Sequence, residues 1–172
     1  MSNKQKILFR ISIAINILLV IVVAWGYLKM NFASEQLFFS EVQYNLVQLE
    51  GLIAHQVEND WSEPNLVTTK LGEVMNGLYV GIKTGGHLNA ISSKDKQILN
   101  KLYYQLNTHY PHDELYSFND VSEQDKEHLI ELRGDLRDVG LGVNISISDN
   151  MGSFMGKVTA LVEKIEVQQQ ME

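Results

Sequence analysis

ISIAINILLVIVVAWGYL, residues Ile11 to Leu28, is the stretch on which the reading of this chain turns. It is 18 residues without a charge, and Lys4, Lys6 and Arg10 stand just before it. At about 1.5 Å rise per residue, a helix of this length approaches the roughly 30 Å hydrocarbon core of a bilayer. Its strongly polar side chains, Ser12 and Asn16, lie in the first third. There a serine can return its hydroxyl to the helix backbone and an asparagine can approach the headgroups. Arg10 can snorkel outward along its methylene stem. Trp25 and Tyr27 fall at the other end, where amphipathic rings favour the membrane–water boundary. The composition therefore predicts one transmembrane helix. Three basic residues before it, against Lys29 after it, place the amino terminus inside and the remainder outside.

The competing reading is a cleaved secretory signal, whose apolar region spans about 7–15 residues and ends in small residues at the cleavage site. Here the run is longer, and the tolerable pair Val22 and Ala24 lies inside it. An uncleaved anchor is the expectation: a short cytoplasmic tail over 1–10, a transmembrane helix over 11–28 and an extracytoplasmic domain over 31–172.

Chemistry beyond the span narrows the class. All 21 acidic residues lie after it with 11 of the basic ones, a net charge of −10. No basic patch stands out, which argues against nucleic acid as a partner. Cysteine is absent, so an exported domain must be held by packing, a pattern that suits bacterial extracytoplasmic proteins. The sequon Asn144-Ile-Ser146 is read as a chance match.

Apolar residues beyond the span recur at helical intervals. Phe39, Val42, Leu46, Leu49, Ile53 and Gln56 step by three and four, which extends the membrane helix outward to about Asp60. Ser62 is the expected cap of a second helix with Pro64 in its first turn. Val67, Leu71, Val74, Met75, Leu78 and Ile82 form its stripe, and Thr84-Gly85-Gly86 its expected end. Ser92 and Asp95 open a third helix lined by Ile98, Leu99, Leu102, Tyr103 and Leu106, which must stop before Pro111. Ser122 caps a fourth, with Glu123 and Asp125 in its first turn, Leu129, Leu132, Leu136 and Val139 as its stripe, and Gly140 as its stop. From Leu141 to Ser148 apolar and polar residues alternate, the period of a strand. A solitary strand lacks a partner among helices, so an extended connector is expected, with edge pairing in a homodimer as the alternative. Asp149 is the expected cap of a last helix carrying Met151, Phe154, Val158, Leu161 and Ile165.

Candidate chemistry is sparse. His109-Tyr-Pro-His112-Asp113-Glu114 brings two imidazoles and two carboxylates into six residues, ligand types that suit zinc or another divalent ion. Pro111 breaks the helical spacing of a zinc protease, however, and HExxH occurs nowhere, so the segment is read as a solvated turn. Asp125 and His128 are three apart on a helix, but the Glu-x-x-His pairs of two-metal bundles are missing. Gly77-Leu-Tyr-Val-Gly81-Ile-Lys83-Thr84 lacks the spacing of a phosphate loop and falls within a helix. Its glycines are read as close-packing positions. G-x-S-x-G is absent, and thiol catalysis is excluded without cysteine. His55 adjoins the first stripe and reads as a boundary residue. Trp61, Tyr79, Tyr103, Tyr104, Tyr110, Tyr116 and Phe118 could line a pocket between helices, but ordinary capping of a bundle core accounts for most of them. No catalytic, cofactor-binding or metal-binding residue is assigned.

Several narrow stripes are best buried against one another. The expected fold is all-α: an N-terminal transmembrane helix followed by an antiparallel extracytoplasmic bundle of four or five helices. This architecture resembles the outer helical sensor regions of bacterial signalling receptors, and differs from them in having no second apolar span and no output domain after it. The expected function is a non-catalytic binding or regulatory module, anchored in the bilayer through residues 11–28 and working through a membrane or envelope protein. The alternative is a membrane-tethered hydrolase using His109, His112, Asp113 or Glu114.

Overall fold

The computed structural model describes residues 3–113, 120–145 and 148–169, which form helices joined by turns, bends and irregular segments, without a strand. One continuous helix, α1, runs from Asn3 to Glu58. Four more follow: α2 (Asn65–His87), α3 (Ser93–His109), α4 (Glu123–Asp138) and α5 (Met151–Gln169). α1 packs on α2 and α4, α2 on α3, α3 on α5, and α5 on α4. That order closes a ring of five helices around one core.

The first half of α1 is long and apolar enough to cross a membrane. Its large apolar side chains are exposed from Ile7 to Phe32, and the next exposed one is Tyr44. Asn16 donates its side-chain amide to the Ser12 carbonyl (2.8 Å), so the polar group inside the apolar run is satisfied by its own helix. The second half is the opposite: Phe38, Val42, Leu46, Leu49 and Ile53 have no exposed surface.

The two halves join through a π-helical turn, Phe38–Gln43, where the Tyr44 N–H reaches back to the Phe39 carbonyl. This wider turn re-phases the helix, and it corrects the expected stripe. Phe38, not Phe39, begins the fully buried row, and Phe39 is partly buried against it. Both rings pack on Phe154 of α5, with centroids 6.4 and 6.2 Å away, the second edge-on. Asn45 closes the turn by donating to the Glu41 carbonyl (2.8 Å).

Glycine lets α2 approach that turn. A Cβ at Gly77 would collide with the Glu41 carbonyl, and one at Gly81 would stand 2.7 Å from the Phe38 ring. These are close-packing positions, as the sequence indicated. Lys70 reaches Gln48 (2.8 Å) further up. Together the three contacts fix α2 antiparallel to α1.

Helix ends are where sequence and structure diverge. Ser92 and Ser122 cap α3 and α4 as expected, and Ser122 with Asp125 forms a full capping box. Ser62 caps nothing: α2 starts after Pro64 without a side-chain cap. The α2 helix also runs on through Gly85 and Gly86 to His87. Gly85 lies under Ile91, and the left-handed residue that ends the helix is Asn89 (φ 51°). Asp60 (φ 51°) and Gly140 (φ 82°) play the same part after α1 and α4. In all three a later N–H returns to a carbonyl five residues back: Trp61 to Gln56, Ala90 to Gly85 and Leu141 to Leu136. Asn150, not Asp149, caps α5, accepting from the Ser153 N–H at 2.9 Å.

The alternating segment after Gly140 is a connector, in turns and bends where described, and residues 146 and 147 lie outside the described ones. Side chains of α1 take the place of a neighbouring strand. Gln43, fully buried, donates to the Ser148 carbonyl and accepts from its N–H, both at 3.0 Å. Glu50 accepts from the Val143 N–H (2.9 Å) and from Arg133 and Arg137 of α4 (3.1 and 3.2 Å). Buried backbone groups need partners. Here two polar residues on the core side of α1 supply them.

Candidate functional site

The loop after α3 folds back onto α2. The Asp113 N–H donates to the Thr68 carbonyl (3.1 Å), and Thr69 donates its hydroxyl to the Asp113 carboxylate (2.7 Å). Gly72 is what permits this, since a Cβ there would stand 2.6 Å from the Asp113 carbonyl oxygen. The result is a cleft of about 520 Å³ between α2, α3 and the loop. Tyr79 and Tyr103 supply aromatic surface, Glu73, Asn76 and Asn107 polar groups, and His112 and Asp113 the rim. Tyr79 is half exposed, with the Lys83 ammonium 5.6 Å from its ring centre. An open cleft that sets two aromatic rings among several polar side chains suits binding of a peptide or small polar organic group.

The six-residue cluster seen in the sequence is only partly gathered here. His112 lines the cleft, with Nδ1 3.2 Å from the Tyr110 carbonyl. His109 faces the neighbouring hollow with Pro111, Asp120 and Asp125, while Glu114 lies outside the described residues, as do Tyr116 and Phe118. Among the described residues no group of three or more histidines, aspartates or glutamates is arranged to hold a metal ion. Asp113 is committed to the α2 contact. Asp125, paired in sequence with His128, has its carboxylate on the Ser122 N–H and hydroxyl (2.9 and 2.6 Å). Its carboxylate therefore serves the α4 cap. His55 is exposed and faces Asn59, 3.2 Å from its amide.

Electrostatic perturbation lies elsewhere, between α4 and α5. Burial pushes the Asp135 carboxyl above its ordinary value, against the attraction of Lys164 at 3.5 Å. A hydrogen bond to Asp138 (2.8 Å) holds the Lys164 ammonium above the usual lysine value. Asp135 Oδ2 is buried without a hydrogen bond. Sequence reasoning missed this group, and also Gln43, Glu50 and the buried Gln105, whose amide donates to the Val162 carbonyl (3.1 Å). A polar residue beside an apolar stripe looks the same whether it faces water or a buried carbonyl. No family model, no curated protein and no solved structure matches this chain.

Proposed function

We propose that this chain is a single-pass membrane protein whose bundle stands outside a bacterial cell membrane as a non-catalytic binding or regulatory module, taking its partner at the α2–α3 cleft. One observation carries the reading. A single helix exposes apolar surface from Ile7 to Phe32 and then, without a break, becomes the central element of a closed core. Such a helix couples whatever the bundle binds to the bilayer and to partners beside it. Among its described residues the cleft offers recognition groups, and Asp113 is engaged in holding the loop.

Site-directed photocrosslinking in intact cells tests the proposal. A crosslinking amino acid at Tyr79 is expected to trap a membrane or envelope protein, and one at Ile130, an exposed residue of α4, is not. His109→Ala, in the neighbouring hollow and not in the cleft, should leave folding and phenotype intact. Capture at Ile130 but not Tyr79 would move the binding surface. A phenotype lost with both histidines, together with stoichiometric zinc in the wild-type chain, would replace this reading by the hydrolase.

A further inference from the structure

Three measures place the lower end of the bundle against the bilayer. Burial of α1 by the bundle begins early: Ser34 is 2% exposed, and the Asn31 side-chain oxygen is fully covered. Asn31 is three residues past Leu28, so about 5 Å beyond the apolar run at helical rise. A headgroup layer is of similar depth, about 5–8 Å on each side of the hydrocarbon core. The exposed apolar band also continues to Phe32, so bundle and band overlap with no stalk between them.

The register of α2 then decides which residues form that end. Gly77 meets Glu41 and Gly81 meets Phe38, so His87 and the turn after it lie level with Asn31 and Phe32. The charge there is unlike the rest of the domain. Lys94 and Lys96 are exposed and His87 is exposed beside them. Lys96 folds toward Gly86 at the end of α2. Neither lysine has a carboxylate partner among the described residues, whereas Asp95 between them is occupied by the Ser92 hydroxyl at 2.7 Å. The far end carries Glu58, Asp60, Glu63, Asp120 and Glu123.

We infer that the α2–α3 turn seats on anionic lipid headgroups of the leaflet from which the bundle emerges, with Lys94 and Lys96 as the contacting cations. Attraction of lysines to an anionic surface is felt only within a Debye length, about 8–10 Å, and the tether holds the turn inside that distance. Seating would orient the bundle with its cleft facing sideways along the membrane and its acidic end away. This inference rests on α1 spanning the bilayer.

The test uses the full chain in lipid nanodiscs, either half phosphatidylglycerol or pure phosphatidylcholine, and single cysteines carrying an environment-sensitive fluorophore. Ser93→Cys reports on the turn, Asn65→Cys on the far end and Val20→Cys on the span. Nitroxide on the headgroups should quench Ser93 by about twofold in anionic discs and leave Asn65 unchanged. The Lys94→Glu/Lys96→Glu pair should remove at least about half of that quenching. Mid-chain nitroxide should quench Val20. Val20 quenched with Ser93 unquenched would overturn the seating and leave the span standing. Ser93 quenching indifferent to lipid charge and to the double reversal would also overturn it. Val20 unquenched by mid-chain nitroxide would bring down the span, and the seating with it.

Discussion

The two halves of α1 share one backbone and present opposite surfaces. From Ile7 to Phe32 apolar side chains point in every direction and the bundle buries none of them. From Phe38 to Gln56 burial recurs every third or fourth residue, and polar side chains on the same face reach across to hold the connector. A helix apolar all round needs an apolar solvent, whereas a striped helix needs neighbours. On the proposed reading lipid serves the first half and α2, α4 and α5 serve the second. The π turn at Phe38–Gln43 sits close to the change of covering.

The largest expected effect breaks this contrast directly. Leu46→Asp places a charge in a site with no exposure. It should unfold the bundle, because the cost of several kcal/mol approaches a domain's whole stability of about 5–15 kcal/mol. Val20→Asp, the same change in the first half, should leave the thermal melt of the bundle unchanged. Its cost, about 2.5–3.5 kcal/mol at mid-membrane, should appear as lost membrane association. Loss of the bundle melt in both variants would remove the distinction.

Glu50→Ala comes next. It orphans the Val143 N–H and releases Arg133 and Arg137, which are partly exposed and can return to water. The expected loss is about 2–3 kcal/mol by chemical denaturation. Gly77→Ala sharpens the junction itself: its methyl group must displace the π turn at Glu41, for about 1–3 kcal/mol. Gly134→Ala, with open space around it, should stabilise the domain slightly.

Smallest is Asp135→Asn. The Asp135 carboxyl is raised in the folded state, so its ionised form is disfavoured there. Its favourable contribution is present below the unfolded value of 3.8 and is lost as pH rises through the folded value. The variant should be modestly more stable at neutral pH and should lack that slope in a pH series of melts.

Much of this was legible in the sequence, for reasons that also explain the misses. The stripes of α2 to α5 are apolar at helical spacing, and Leu71, Leu99, Leu132 and Val158 are all buried. Ser92 and Ser122 announce themselves because a cap needs an oxygen just before an acidic first turn. The Phe38 and Phe39 exchange was hidden, since a π turn alters phase without a composition signal. Asn89 carries a weaker left-handed signal than Gly85 and Gly86, but packing under Ile91 keeps Gly85 helical. The cleft depends on Asp113 meeting Thr69 across 44 positions, a contact that no local pattern encodes. Its aromatic members were visible as candidates, while their convergence was not.

The central claim is that the apolar half of α1 enters the bundle without a hinge. A spin-label distance between Lys29→Cys and Glu58→Cys in nanodiscs tests it directly, and the native chain contributes no competing cysteine. At about 1.5 Å per residue the two backbone sites lie roughly 43 Å apart. The account predicts one narrow distribution near that length. A broad distribution, or a peak shorter by more than about two helical turns of 5.4 Å each, would contradict it.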